Sequence, residues 1–222
     1  MFNFNLSSFY SLACALLPCI AVLLGRRRAG TRVQRLWVLL FCLYLWQVYD
    51  LTGVGGVSDI LMQLRIFDDL NIHSLSSLLA ALHAPNGPDV FRSTVNLVPQ
   101  FHLSVGFLLN IAMLVPLGVL LPLLWRDCRS LVRVGCVGAA FSLLIEGSQL
   151  LTNRTCDIND LIANTLGTML GFCCWWFCAQ LFGKYLHQTP AGIKEPLLLI
   201  AASFSGMFFF YYPFWFYSLI GH

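Results

Sequence analysis

Charge is what this chain has least of. Lys, Arg, Asp and Glu make up 10% of its 222 residues, less than half the roughly 25% of an ordinary soluble domain. A water-facing surface cannot be built from that supply, which excludes a soluble globular enzyme, a disordered chain and a disulfide-stapled secreted protein. The formal net charge of +3 is too small to point to a nucleic-acid partner. Internal repeats and low-complexity linkers are absent, as are a His or Ser nucleophile motif, HExxH and a phosphatase-like signature. The cysteines are nine, an odd number, and most lie in apolar runs, so they read as small hydrophobes and not as a disulfide framework. Cys156 stands apart in a charged loop, yet no neighbouring His is there to activate it. His73, His83 and His102 lack metal-ligand spacing.

What the chain does have is apolar length. Hydrophobic residues make up 58% of it, and six stretches are of roughly membrane-spanning size. They run from Leu6 to Leu24, Leu36 to Leu51, Val105 to Trp125, Leu131 to Leu151, Leu161 to Phe182 and Leu197 to Ile220. The runs are continuous, whereas strands of a membrane β-barrel alternate apolar and polar residues, so a barrel is excluded. The expected fold is all-α: a polytopic membrane protein with a six-transmembrane-helix bundle, residues 1–222 forming a single membrane domain.

Basic residues orient it. Arg26, Arg27, Arg28, Arg32, Arg35, Arg126, Arg129, Arg133, Lys184 and Lys194 fall in alternate connections, against Arg65, Arg92 and Arg154 in the others. Ten against three is a positive-inside signal that places both termini outside the cytoplasm. Three arginines follow the first stretch and none precedes it, the reverse of a cleavable signal peptide, so that stretch is expected to remain as an anchor. Nine of the ten residues from Phe208 to Tyr217 are aromatic, as in an interfacial belt. The long second connection, Thr52 to Ser104, repeats Ile60, Leu64 and Phe67, then Leu75, Leu78, Leu79 and Leu82, at helical spacing. That pattern predicts short interfacial helices.

Polar residues inside the third, fourth and fifth stretches carry the functional signal. At about 100° per residue, Gly135, Gly138, Ser142, Glu146, Gln149 and Asn153 share one arc of the fourth helix. Asp157, Asp160, Asn164, Gly167 and Gly171 share one arc of the fifth. Glycines at these spacings let helix backbones approach closely, and the sequence reading sets the fourth and fifth stripes against each other. Gly106 and Asn110 extend the seam to the third helix, which Pro116 and Pro122 are placed to kink. Glu146 lies about 9 Å inside the outer end of its helix. A carboxylate at that depth needs the bundle interior and a partner, with Gln149, Asn110, Arg154 and Asn164 nearest. Asp157 is also suited to cap the fifth helix, with Asp160 in its first turn. The candidate ligand-binding set is Asn110, Glu146, Gln149, Arg154, Asp157, Asp160 and Asn164. Arg154 offers a fork for phosphate or carboxylate. Glu146, Asp157 and Asp160 are candidates to hold a divalent cation, to move a proton, or to act as catalytic acid and base.

The run Leu109-Asn110-x5-Pro116-Leu117-Gly118, then Glu146-x-x-Gln149, then Arg154-x-x-Asp157-x-x-Asp160-x3-Asn164-x-x-Gly167-x3-Gly171 resembles the VanZ-like family of bacterial membrane proteins. Asn96-Leu97-Val98-Pro99 resembles that family's upstream loop motif. The resemblance covers about residues 36–182 and leaves the first helix, 6–24, as an addition. It implies a multi-pass protein of the bacterial plasma membrane and cell envelope, whose family namesake is associated with resistance to the glycopeptide teicoplanin. It supplies no reaction. The leading expectation is binding or translocation of an anionic lipid, or of a polyprenyl-linked or glycopeptide-related cell-wall precursor, at an outward-facing polar pocket. The alternatives are an intramembrane hydrolase or transferase acting on lipid phosphates through the Glu and Asp residues, and a scaffold for envelope enzymes. Ligand identity and oligomeric state are not legible in the sequence.

Overall fold

The computed structural model describes residues 6–25, 32–63, 95–96, 98–99, 104–151, 155–182 and 192–213. They form seven α-helices and one pair of two-residue strands: α1 (Leu6–Gly25), α2 (Arg32–Thr52), α3 (Val57–Gln63), β1 (Val95–Asn96), α4 (Val105–Leu124), α5 (Leu131–Gln149), β2 (Cys156–Asp157), α6 (Ile158–Phe182) and α7 (Lys194–Phe210). Five of them, α1, α2, α4, α5 and α6, are long and apolar enough to cross a membrane. Helix α7 coincides with the sixth apolar stretch and is described for 17 residues; the aromatic run from Phe214 onward lies outside the described residues. Of the interfacial helices expected in the second connection, α3 contains Ile60, while Leu64, Phe67 and the Leu75 to Leu82 run lie outside the described residues.

Local chemistry sets the ends. Gly53 takes φ 60° and its N–H returns to the Tyr49 carbonyl at 3.0 Å, the left-handed cap that ends α2. Helix α3 starts with the Asp59 carboxylate accepting the Gly56 N–H at 2.8 Å. Ser104 caps α4, its hydroxyl accepting the Phe107 N–H at 3.1 Å.

The helices sort into two groups. Helix α1 lies antiparallel against α7, where Gly206 leaves room only for the Cys14 carbonyl and the Pro18 ring. Tyr10 donates to Phe210 O at 2.5 Å, Trp46 Nε1 to Ser11 Oγ at 3.0 Å, and Tyr49 to Ile200 O at 3.2 Å, tying α2 to both. In the second group α6 lies between α4 and α5. The two groups meet through Tyr49 on Phe141, Phe41 edge-on to Trp125, and Trp125 Nε1 donating to Glu195 Oε2 at 2.9 Å.

The second group corrects the packing read from the sequence. Gly167 and Gly171 do not face α5. A Cβ on Gly167 would fall on the Ile111 carbonyl, and one on Gly171 on the Val115 carbonyl and 2.9 Å from the Gly118 Cα. Both partners belong to α4. Gly118 in turn leaves no room beside the Thr168 carbonyl. The pairs advance in the same direction along both chains, so α4 and α6 run parallel. Helix α5 uses Gly138, whose Cβ would lie 2.5 Å from Thr168 Oγ1, and Gly135, which meets the flexible Met169 side chain at 3.5 Å. Sequence adjacency favoured the α5–α6 hairpin, but the backbone that stands opposite Gly167 and Gly171 belongs to α4.

The Cys128 thiol is buried at 1% exposure; that burial, with the Asp127 charge adding, pushes it up to about 11. A thiol so placed reacts slowly whichever side of a membrane its loop faces, so a cysteine put in place of exposed Arg126 is the better labelling probe of that loop. Gly171→Ala should lower stability by about 1–3 kcal/mol, because only backbone atoms stand in the way. Gly147→Ala, with nothing within 4 Å of its Cβ, should be neutral or gain up to about 1 kcal/mol from helix propensity. Thermal unfolding of the two purified variants checks this; equal melting would place the Gly167–Gly171 stripe against lipid.

Candidate functional site

Parallel α4 and α6 bring two helix N-termini to the same end of the bundle, and the chain entering them is stitched together. Val95 pairs with Cys156 and Asn96 with Asp157 in a parallel register. Adjacent positive dipole ends favour acidic residues, and α6 opens with them. Asp157 Oδ1 accepts the Asn159 N–H at 2.9 Å and the Asn159 side chain at 2.8 Å, so Asp157 caps α6 as its position suggests. Its Oδ2 meets Asn96 Nδ2 at 3.4 Å.

Below this cap the polar seam continues inward. Glu146, 4% exposed, accepts the Asp157 backbone N–H at 3.2 Å through Oε2 and the Cys156 thiol. Asn110 Nδ2 donates to Asp160 Oδ1 at 2.7 Å, linking α4 to α6. One turn further in, Asn164 Nδ2 donates to Ser142 Oγ at 2.9 Å, linking α6 to α5, and Thr168 Oγ1 donates to Asn164 O at 2.9 Å. Asn164 is 2% exposed, and its Oδ1 is enclosed without a hydrogen-bond partner among the described residues.

Of the sequence-derived set, Asn110, Glu146, Asp157, Asp160 and Asn164 converge. Gln149 is buried and reaches sideways, its Nε2 donating to Thr52 O on α2 at 3.0 Å. Arg154 lies outside the described residues. Glu146 is satisfied by the strand before α6 and not by a direct Asn110 or Asn164 bond, because that strand passes over the end of α5. Sequence reasoning missed Cys156 and Thr168 as members. The signal for Thr168 was its place one turn below Asn164, on a helix whose glycines were already assigned to an interface. The signal for Cys156 was its place in a charged loop directly before Asp157, which was read without joining it to the seam.

The seam is rich in acceptors. The groups acting on Glu146 include the charges of Asp160 and Asp157, and Asp157 also acts on Asp160; among the described residues no Lys or Arg joins them. No group of three or more His, Cys, Asp or Glu side chains among the described residues is arranged to hold a metal ion, so the geometry lends the divalent-cation reading of Glu146, Asp157 and Asp160 no support. What the arrangement can do is take up a donor: a proton, a monovalent cation, or the N–H or O–H groups of a ligand.

A family model described as VanZ/LLP1 matches residues 35–182, two thirds of the chain and every seam residue. The chain belongs to the VanZ/LLP1 family. The match begins at Arg35 in α2 and ends at Phe182, leaving α1 and α7, which pack on each other, outside it. No curated protein and no solved structure matches this VanZ-family chain.

Cys156 reports on the seam. Burial pushes its thiol up, and the Glu146 charge, the hydrogen bond to Glu146 and the charges of Asp157 and Asp160 add to the effect. Only the thiolate reacts with maleimide, so wild-type labelling should be slow at neutral pH and quicken as pH rises. Glu146→Gln removes one of those charges and should speed labelling at fixed pH. The check is a stopped-time maleimide assay with exposed Cys136, Cys173, Cys174 and Cys178 replaced by Ala; an unchanged rate would show that no Glu146 charge reaches Cys156.

Proposed function

We infer that this VanZ-family membrane protein binds or translocates an anionic lipid or lipid-linked cell-wall intermediate at the outer end of the seam. In this reading it crosses the bacterial plasma membrane six times, with both termini outside. The glycopeptide resistance tied to the family's namesake is a consequence of handling such an envelope intermediate. The observation that carries the reading is the convergence of Asn110, Glu146, Asp157, Asp160 and Asn164 from three helices of spanning length. Polar groups are costly inside a membrane and cluster there for substrates, ions and proton paths.

The charges on this site constrain the ligand. An anionic headgroup cannot settle beside Glu146, Asp157 and Asp160 unless positive charge comes with it. That charge is a proton or monovalent cation taken up by the carboxylates, joined by Arg154, which follows from its place in the chain alone. Headgroup binding is therefore linked to proton or cation uptake. Structural bonds account for Asp157, for one oxygen of Glu146 and for one of Asp160, but not for the enclosed Asn164 oxygen, which has no partner among the described residues, and this favours a ligand over a mere helix-register device.

The test is native mass spectrometry of detergent-purified protein with a polyprenyl phosphate. Wild type should retain the lipid, more tightly as pH falls. Glu146→Gln with Asp160→Asn should keep wild-type melting within about 1 kcal/mol, since hydrogen bonding is conserved, while the pH dependence disappears. Equal, pH-independent retention by both proteins would overturn the reading. Release of inorganic phosphate from the lipid would instead make the carboxylates catalytic.

A further inference from the structure

Helix α4 is built of two unlike halves. Every buried residue on it lies at Leu114 or beyond. The outer half shows Val105, Leu108 and Leu109 more than half exposed. It is held to the bundle by the Asn110–Asp160 hydrogen bond and the close passage of Ile111 against Gly167.

The junction between the halves is marked at two adjacent carbonyls. Pro116 has no N–H to offer the Ala112 carbonyl, and its ring crowds that carbonyl. One residue on, the Met113 carbonyl accepts the Tyr44 hydroxyl of α2 at 2.9 Å. A side chain from another helix therefore holds the backbone directly beside the proline gap. Helices bend where proline or an inserted side chain interrupts the ladder. Below this level Gly118 and Gly171 hold α4 rigidly on α6.

We propose that residues 105–113 form a lateral gate over the polar seam, hinged at Met113 to Leu117, pinned by Tyr44 and latched by Asn110 on Asp160. When the latch opens, the outer half tilts away from α6 and uncovers Asp160 and Glu146 toward the outer leaflet. Because the moving face carries Val105, Leu108 and Leu109, the opening faces lipid, and the ligand it admits has a polar head and an apolar tail that stays in the bilayer. Tyr44 is a positioning residue: its bond to the Met113 carbonyl ties the hinge to α2 while the half beyond it bends. This deepens the proposed function and rests on it for the ligand's identity; the motion itself does not.

The experiment is a spin-label distance measurement in nanodiscs without added ligand, using Leu108→Cys on the gate and Gly147→Cys on α5, with exposed Cys136, Cys173, Cys174 and Cys178 replaced. Leu120→Cys paired with native Cys136, in a second background that keeps Cys136 and replaces the other three, serves as a reference beyond the hinge. Wild type should show a main distance and a minor longer one. Asn110→Ala should raise the longer population by about tenfold or more, the effect of losing one charge-assisted hydrogen bond. Pro116→Ala, which restores the ladder, should remove it, and Tyr44→Phe should change the ratio without moving the reference pair. A single unchanged distance in wild type, Asn110→Ala and Pro116→Ala would overturn the gate. A moving gate in a protein that binds no polyprenyl phosphate would sink the lipid reading and leave the hinge standing.

Discussion

The backbone contact between α4 and α6 governs the rest of the molecule. Lipid tails are as apolar as leucine, so helices in a bilayer gain little by hiding apolar surface from one another and rely on close packing and hydrogen bonds. Gly118, Gly167 and Gly171 make such packing available, each with backbone of the opposing helix where a side chain would stand. Thr168 completes the arrangement from the centre: its carbonyl fills the space beside Gly118 and its side chain the space beside Gly138. Three helices are fixed by one short segment of α6, and the α5 and α6 residues one to three turns outward are fixed with them.

That crossing also has an electrostatic cost. Parallel neighbours place two positive dipole ends side by side, and acidic groups gather there to offset it. Asp157 is used as a cap, and its own N–H turns toward Glu146. Among the described residues, Glu146, Asp160 and Asn164 offer more acceptor positions than there are donors meeting them. An enclosed amide oxygen without a partner among those residues, as Asn164 Oδ1 is, costs free energy comparable to a lost hydrogen bond. A structure that only needed register could have used apolar residues. Excess acceptors at this depth are the physical basis for reading the seam as a site.

The sequence made the helices and the seam members legible because both depend on local properties. Apolar length located α1, α2, α4, α5 and α6, with ends such as Val105 and Leu131 matching to the residue. The 100° period grouped Ser142 with Glu146 and Asp160 with Asn164, and these do face one another. Partner choice was not legible, because it depends on which helices meet. Gly167 and Gly171 were matched to the neighbour in sequence, while the neighbour in space is α4. The β1–β2 pairing escaped notice for the same reason: two residues near Val95 and two near Cys156 carry no periodicity. Tyr44 was invisible as well: Pro116 announced a weak point in the helix, but not which neighbour would hold the Met113 carbonyl beside it.

The central claim is that α4 and α6 together present one connected polar seam, joined where Asn110 meets Asp160. A double-mutant cycle with Asn110→Ala and Asp160→Ala, read by the unfolding free energy of the detergent-solubilised protein, tests that junction directly. The account predicts a coupling of about 1–3 kcal/mol, the range for a hydrogen bond to a charged group. Additive effects, with coupling below about 0.3 kcal/mol, would mean the two residues do not meet and would contradict the seam.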